Sequence, residues 1–169
     1  KSPGTAEPIK DDNGGTINGS ISTIDTVRLG GHKQYLIIRG ADSTKPVMLF
    51  VHGGPGGPEG VMMKAMNPAI EKDFVMVYWE QRGSGKSFAR NIPDSTMNLD
   101  RFVQDADELS FYLRQRFKRD KIFIMGHSWG SMLGLLTAYR HPDHYYAYFG
   151  VGQIDGQYHG EYISYQWVK

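Results

Sequence analysis

Four short runs of apolar residues, separated by longer polar or amphipathic segments, constrain the fold of this chain more than any other feature. Each run is continuous rather than alternating, which is the pattern of a strand buried on both faces of a sheet. Between them, residues 99–117 repeat apolar side chains at helical spacing. Short buried strands that alternate with helices form βαβ units, and therefore a mostly parallel sheet with flanking helices. The runs are 47–51, 74–79, 121–125 and 145–151.

The segments around these runs divide the chain into a tail and a core. Residues 1–20 contain almost no apolar side chains, and we expect them to form a flexible tail. Apolar residues near Gly30 and Gly31 predict an antiparallel N-terminal hairpin at one edge of the sheet. Helices are expected at 61–71, interrupted by Pro68, at 132–139, and from Gly156 onward. Residues 21–155 are therefore predicted to form one core.

Composition excludes several classes of function. The 169 residues carry a formal net charge of +1, so no basic field favours nucleic acid as a partner. The absence of cysteine excludes a disulfide framework, a thiolate metal site and a cysteine nucleophile. No apolar run reaches the length of a membrane span, and no signal peptide is visible. The cytoplasm is the favoured compartment, and an export signal or membrane anchor upstream of Lys1 is the alternative.

A glycine-flanked serine lies between the third apolar run and the helix that follows it. The residues are Gly126-His127-Ser128-Trp129-Gly130, which fit the pattern G-x-S-x-G in the strand-to-helix context that this pattern requires. At such a tight turn the glycines leave room for the backbone, and the serine hydroxyl projects above the sheet. The start of the following helix favours negative charge that develops nearby. Ser128 is therefore the candidate nucleophile, and a glycine-flanked helix cap is the alternative.

A second glycine-rich segment directly follows the first apolar run. It is His52-Gly53-Gly54-Pro55-Gly56. Acyl transfer builds an oxyanion that needs backbone N–H donors, and glycines let such a backbone approach a substrate closely. We expect one donor from Trp129, the residue after the candidate nucleophile, and the second from Gly54. The alternative is a plain turn, which this composition also suits.

A third polar segment, residues 80–87, follows the second apolar run and contains Gly85-Lys86-Ser87. These residues resemble the end of a phosphate-binding loop, but that motif needs a glycine where the chain has Glu80. Nucleotide binding is therefore not expected, and we expect no cofactor.

Together, the three segments resemble the proline iminopeptidase family of α/β-hydrolases. His-Gly-Gly-Pro-Gly, Gln-Arg-Gly-Ser-Gly-x-Ser and Gly-His-Ser-Trp-Gly-Ser occur in family-like order and spacing over about residues 47–152. The resemblance implies a partial α/β-hydrolase fold, with Ser128 as nucleophile and with Gly54 and Trp129 as the donors of the oxyanion hole. Glu80 is a departure, since the family usually has Asp there, and we expect little effect on the chemistry. The resemblance also implies a bracing active-site loop, formed by His52, Gly53, Gln81 and Arg82.

The residues that would complete a catalytic triad are not evident in the sequence. In this fold the acid and the histidine follow the nucleophile, and in the resembled family both come after a cap domain. We expect the catalytic histidine beyond residue 169, with 156–169 as the start of the cap, and the cap and last strands lacking. Asp155, after the fourth apolar run, is a weak candidate for the acid, and a helix cap there is the favoured interpretation.

Two histidines, His141 and His144, form a His-x-x-His pair at the far end of the helix that follows Ser128. That helix would separate them from Ser128 by about 15 Å, so they are not candidates for the base. The pair also suggests a metal site. The sequence shows no third ligand, so we expect exposed histidines and no metal.

The predicted function is that of a serine hydrolase acting through an acyl-enzyme on Ser128. The resemblance implies release of an N-terminal residue, often proline, from small peptides. An esterase or amidase on small acyl substrates is an alternative, since a fold does not set specificity. A non-catalytic fragment or interaction module is another, because the chain alone is expected to be incomplete and inactive. The sheet edge at 145–151 predicts pairing with a missing C-terminal half, or self-association.

Overall fold

The computed structural model describes residues 4–169, in which six strands form one sheet. The strands are β1 (Ile21–Leu29), β2 (His32–Gly40), β3 (Val47–Val51), β4 (Val75–Glu80), β5 (Ile122–His127) and β6 (Tyr145–Val151). Their order in the sheet is β1-β2-β4-β3-β5-β6. The pairs β1–β2 and β2–β4 are antiparallel, and the other three pairs are parallel. The prediction of a mostly parallel sheet with an antiparallel N-terminal hairpin is confirmed.

Helices cover both faces of the sheet. They are α1 (Gly60–Met66), α2 (Ile70–Asp73), α3 (Leu99–Phe117), α4 (Trp129–Arg140) and α5 (Gln157–Val168). The break between α1 and α2 contains Pro68, as the sequence predicts. Within residues 4–169, no helix combines the length and the apolar character needed to span a membrane.

The long helix α3 begins and ends where its sequence signals indicate. Its N-cap is Asn98, whose side chain accepts from the Arg101 N–H at 2.9 Å. Its C-cap is Lys118, in the left-handed conformation with φ 50°, and the Lys118 N–H donates to the carbonyls of the last turn. One face of α3 is buried against the sheet.

Alternate side chains of the central strands pack into two cores on opposite faces of the sheet. On β3, Leu49 and Val51 join the larger core beneath α3 and α4, whereas Met48 and Phe50 join a smaller one beside α1 and α2. All five residues of β3 are buried, as expected for a strand with parallel neighbours and helices on both faces.

The N-terminal hairpin is longer than its apolar residues predict. Its two strands pair along nine residues each, and Gly30 and Gly31 at the turn both have positive φ, 52° and 74°. Polar residues within these strands interrupt the apolar pattern, and for this reason the sequence predicts shorter strands. Gln34 is one of them, and its hydrogen-bond partners are remote in sequence. Gln34 is fully buried: its amide nitrogen donates to Asp105 at 2.7 Å, and its oxygen accepts from the Trp79 indole at 2.8 Å.

The edge strand β6 differs from the prediction of a strand buried on both faces. Tyr145 at its start is buried, but Tyr146, Phe149 and Val151 are exposed. The reason is topological. Among the described residues β6 is the last strand of the sheet and α4 packs on one of its faces, so the side chains on its other face are left uncovered.

The segment predicted as a tail makes defined contacts where the structure describes it. Lys1–Pro3 (residues 1–3) lie outside the described residues. Lys10 and Thr16 form an isolated antiparallel bridge. The Glu7 carbonyl accepts from the Arg39 guanidinium at 2.6 Å, and the Glu7 carboxylate pairs with Lys64 of α1 at 2.9 Å.

Four loops meet at the carboxyl edge of the parallel strands. They follow β3, β4, β5 and β6 and begin at residues 52, 81, 128 and 152. In open α/β sheets, ligands bind at this edge, outside the carboxyl ends of the strands. The three sequence motifs are therefore brought together in one region of the fold.

Candidate active site

Ser128 occupies the tight turn between β5 and α4, and its side chain is partly exposed. Its backbone has φ 52° and ψ −120°, a region that non-glycine residues rarely adopt. The Ser128 N–H donates to the Val151 carbonyl at 2.9 Å, and the Ser128 carbonyl accepts from the Ser131 hydroxyl at 2.6 Å. Strained conformations persist where surrounding contacts enforce them, and they cluster at functional sites.

The glycines two residues on either side of Ser128 are required by packing. A Cβ on Gly126 would lie 2.1 Å from the Gly130 carbonyl oxygen, and a Cβ on Gly130 would lie 2.0 Å from the Val51 carbonyl oxygen. Both contacts are to backbone atoms, so a side-chain rotation relieves neither. The helix can start directly after Ser128 because these two side chains are missing, which is the geometry that the G-x-S-x-G pattern predicts.

The loop after β3 lies directly against the serine turn. A Cβ built on Gly53 would be 3.2 Å from the Ser128 Cβ. The Gly53 N–H is occupied, since it donates to the Glu59 carboxylate at 3.1 Å. Among residues 4–169, the N–H groups of Gly54 and Trp129 make no hydrogen bond. Trp129 is the first residue of α4, where backbone N–H groups have no partner within the helix.

Gln81 ties the two glycine-containing turns together. Its side-chain nitrogen donates to the His52 carbonyl at 2.8 Å, and its side-chain oxygen accepts from the Trp129 indole at 3.2 Å. The side chain is buried. Gln81 therefore links the loop after β3 to the start of α4.

His52 is buried and belongs to the same network. Its Nε2 accepts from the Gln81 backbone N–H at 3.2 Å, so the hydrogen-bond network assigns the proton to Nδ1, which donates to the Gly53 carbonyl at 2.8 Å. Burial lowers the pKa of the His52 imidazole below its ordinary value. The ring is thus held neutral, in a structural role.

Arg82 points away from the serine turn. Its guanidinium makes a bidentate pair with Asp105 of α3, at 2.8 Å and 3.0 Å, and donates to the Leu29 carbonyl at 3.1 Å. Both side chains of the pair are almost fully buried. Arg82 thereby fastens the loop after β4 to α3 and to the end of the hairpin, on the face of the sheet opposite α1.

Glu59 is a residue of the site that the sequence did not reveal. Both of its carboxylate oxygens lie 2.9 Å from Nδ1 of His127, the residue before Ser128. The same carboxylate accepts the Gly53 N–H, so it joins the loop after β3 to the serine turn. Its position just before α1 carries no motif, and only the fold brings it to His127.

The candidate partners of Ser128 among the remaining titratable residues are not brought to it. Asp155 is exposed, and the N-cap of α5 is Gly156, with no side-chain cap hydrogen bond. The helix cap predicted at Asp155-Gly156 is therefore formed by Gly156, in the left-handed conformation, and not by the Asp155 side chain. Within residues 4–169, no histidine ring hydrogen-bonds the Ser128 hydroxyl.

His141 and His144 have beside them a third potential ligand that the sequence did not reveal. The structure brings Asp107 of α3 to the pair, with its Oδ1 at 3.0 Å from His144 Nδ1 and 3.7 Å from His141 Nδ1. Asp107 is remote in sequence from both histidines, so spacing alone could not reveal it.

An apolar cleft of about 430 Å³ opens beside the site. Phe50, Met63, Ile70 and Met125 contribute to its walls, and His127 is a polar residue of its lining. Small-molecule sites are mostly apolar with a few polar groups at the reacting end. The cleft is therefore suited to the apolar part of a small acyl group.

Comparisons with known proteins agree with this geometry. Residues 46–167 match the family model described as the alpha/beta hydrolase fold. The chain is 35% identical over 150 residues to Probable aminopeptidase YbaC of Bacillus subtilis (strain 168), covering 89% of this chain and 47% of that protein. It is 34% identical over 86 residues to the proline iminopeptidase of Heyndrickxia coagulans, covering 51% of this chain and 27% of that protein.

Solved structures give the same result. The proline iminopeptidase-related protein of Thermus thermophilus superposes with a TM-score of 0.61 at 25% identity, covering 73% of this chain and 42% of that one. Epoxide Hydrolase A of Mycobacterium thermoresistibile superposes with a TM-score of 0.63 at 22% identity, covering 77% of this chain and 39% of that one, and this likeness shows the fold alone. The chain spans half or less of the length of these relatives. The chain belongs to the α/β-hydrolase family and is similar, within it, to the proline iminopeptidases.

Proposed function

We propose that the full-length protein is a serine hydrolase in which Ser128 is the nucleophile. The observation that carries this proposal is the strained turn at Ser128, with φ 52°, at the carboxyl edge of the sheet. Two backbone N–H groups without partners, those of Gly54 and Trp129, flank that turn among the described residues and are the proposed oxyanion donors.

The proposed reaction has two steps. The Ser128 oxygen attacks the carbonyl carbon of the scissile bond and loses its proton to a base, and the two N–H groups stabilise the resulting oxyanion. The C–N bond then breaks, the proton passes to the leaving amine, and an acyl-enzyme ester remains. Water hydrolyses this ester by the same sequence of proton transfers and restores the Ser128 hydroxyl.

The base and its orienting acid are proposed to lie outside residues 1–169. In this fold both follow the nucleophile in sequence. Support comes from the absence, within residues 4–169, of any histidine bonded to the Ser128 hydroxyl. The relatives are also at least about twice as long as the segment that matches this chain. On this proposal α5 begins the cap. Within the described residues no side chain of α5 is buried, and its aromatic side chains are exposed to solvent. On this proposal the rest of the cap packs against them.

The proposed substrate is a peptide with a free N-terminus, from which one residue is released. This follows the names of the relatives, an aminopeptidase and a proline iminopeptidase. An esterase or amidase using the same serine is the competing proposal, since the apolar cleft beside His127 suits any small acyl group.

A set of fluorogenic substrates separates the two proposals. Prolyl and alanyl methylcoumarylamides carry a free amine, N-acetylprolyl methylcoumarylamide does not, and nitrophenyl acetate is a simple ester. Turnover confined to the free amines supports the aminopeptidase, and turnover of the acetylated amide and the ester supports the alternative. Ser128→Ala should abolish all turnover, whereas Ser43→Ala, which changes an exposed serine before β3 at the end of the sheet opposite the site, should change none. Full activity in Ser128→Ala would contradict both proposals.

The 169-residue chain alone is proposed to lack turnover and to need a partner at β6. Tyr146 and Phe149 of this strand lie at tilted angles against Phe123 of β5 but remain exposed at 61% and 42%. Exposed apolar edges recruit further strands. We propose that the rest of the full-length protein covers this edge, and that the isolated chain self-associates. A monodisperse monomer in light scattering, or peptidase activity of this chain equal to that of the full-length protein, would contradict this.

A further inference from the structure

Three side chains with metal-binding atoms meet at the end of α4 that is remote from Ser128. Asp107 comes from α3, and His141 and His144 flank the turn between α4 and β6. Their ligand atoms all lie within 4.8 Å of one another. The two imidazole rings are stacked, with centroids 5.3 Å apart and planes 12° apart. Both Nδ1 atoms approach the same carboxylate oxygen, Asp107 Oδ1.

The backbone fixes the two histidines in this arrangement. The His141 N–H donates to the Thr137 carbonyl at 3.1 Å, which closes the last turn of α4. The His144 N–H donates to the His141 carbonyl at 3.0 Å, which closes the following turn through Pro142. The backbone positions from which the two rings project are therefore set by the fold.

Two atoms of the cluster lack hydrogen-bond partners. Among residues 4–169, Asp107 Oδ1 and His144 Nδ1 are inaccessible to solvent and neither makes a hydrogen bond, although they lie 3.0 Å apart. Inaccessible polar atoms in folded proteins nearly always have a partner. A cation coordinated by the carboxylate oxygen and the imidazole nitrogen would satisfy both atoms at once.

We propose that Asp107, His141 and His144 bind a divalent transition-metal ion, with Zn²⁺ as the representative. Two imidazole nitrogens and one carboxylate oxygen are ligands that Zn²⁺ accepts, with a fourth position left for water. Ligand atoms in a tetrahedral zinc site are about 3.3 Å apart, and the observed separations of 3.0 Å and 3.7 Å lie on either side of that value. Mg²⁺ and Ca²⁺ prefer oxygen ligands, so this donor set disfavours them.

The site is structural rather than catalytic. The helix α4 has 12 residues, and its length of about 18 Å separates the cluster from Ser128. A bound ion would join α3 to the turn that leads into the edge strand β6. The side chains of His141, His144 and Asp107 are 37%, 22% and 29% exposed, so the cluster lies at the surface, and a rotation of these side chains would open the ligand atoms to an ion.

The test is a titration of the untagged, chelator-treated chain with zinc chloride, followed by calorimetry and by thermal unfolding. We expect one ion per chain, a dissociation constant in the micromolar range or below, and a higher Tm with zinc. Co²⁺ in place of Zn²⁺ should give the visible absorption of a low-coordinate site, a readout that needs no variant. His141→Ala and His144→Ala should each weaken binding at least tenfold, since loss of an outer-shell partner alone costs that much. His159→Ala, which removes an exposed histidine of α5, should leave binding unchanged.

Two results would overturn the proposal. The first is absence of zinc binding by the wild-type chain at submillimolar zinc, which would leave an Asp107–His144 ion pair as the full explanation of the cluster. The second is binding that His141→Ala and His144→Ala do not weaken. The outcome is independent of the proposed hydrolase activity, because the same titration can be made on Ser128→Ala.

Discussion

Replacing Gly130 by alanine tests the packing that creates the serine turn. The new Cβ would lie 2.0 Å from the Val51 carbonyl oxygen and 2.6 Å from the His52 carbonyl oxygen. Ordinary contact begins near 3.4 Å, so α4 and β3 must separate by more than an ångström. Neither atom belongs to a flexible side chain, and β3 is the fully buried centre of the sheet.

The expected cost follows from these contacts. Overpacking of a dense interior costs about 1–3 kcal/mol, and a clash with the backbone of a central strand belongs at the upper end, near 3 kcal/mol. Alanine regains about 0.5–1 kcal/mol of helix propensity, which leaves a net loss of about 2–2.5 kcal/mol in the free energy of unfolding. For a chain of this size that is a Tm lower by about 4–10 °C.

A matched control lies in α5. Gly160 is also helical, but a Cβ there would meet no atom within 4 Å, so Gly160→Ala should raise the Tm by about 1–4 °C. Both variants can be compared by circular dichroism during heating. A Gly130→Ala chain as stable as Gly160→Ala would refute the packing argument, because the two substitutions differ only in their surroundings.

Three further predictions concern the residues that brace the site. Asp105→Asn should lower the free energy of unfolding by about 3–5 kcal/mol in denaturant titrations, since it strips the buried Arg82 of its carboxylate. Asp100→Asn, in an exposed pair of the same helix, should cost at most about 1 kcal/mol. Gln81→Met should lower the free energy of unfolding by about 1–3 kcal/mol, because it leaves the buried His52 carbonyl without its hydrogen-bond donor. It should also slow the labelling of Ser128 by a fluorophosphonate in the full-length protein. In NMR, the His52 ring should titrate below the ordinary pKa of about 6.5, because burial lowers its pKa. The stability that neutral His52 contributes is therefore present above about pH 6.5 and is lost as the pH falls below that value.

Each of these has a contrary outcome. If Asp105→Asn and Asp100→Asn lowered the free energy of unfolding equally, the buried Arg82–Asp105 pair would stabilise the fold no more than an exposed pair. Unchanged labelling of Gln81→Met would remove its bracing role. A titration midpoint for His52 at or above about 6.5 would contradict the neutral ring inferred from its hydrogen bonds.

The sequence predicted those strands and helices that are determined by the local order of apolar and polar residues. Residues 47–51 form a buried strand because every side chain is apolar, and Leu99–Phe117 is a helix because its apolar residues recur at helical spacing. The turn at Ser128 was predictable because its glycines are required by contacts within a few residues and with the neighbouring strand.

The features that the sequence missed depend on contacts between distant segments. Gln34 lies within a strand because Asp105 and Trp79 satisfy its amide, and both are remote in sequence. Glu59 reaches His127 across the top of the sheet, and Asp107 reaches the histidine pair from α3. Polar residues of this kind show no periodicity, so their burial and their partners become visible only in the folded chain.

The most direct test of the central claim is the position of a covalent adduct. The full-length protein is treated with a fluorophosphonate, digested, and sequenced by mass spectrometry. We predict one modified serine, Ser128, with the adduct lost in Ser128→Ala and retained in Ser43→Ala. An adduct on another serine, or labelling that persists in Ser128→Ala, would contradict the assignment of Ser128 as the nucleophile.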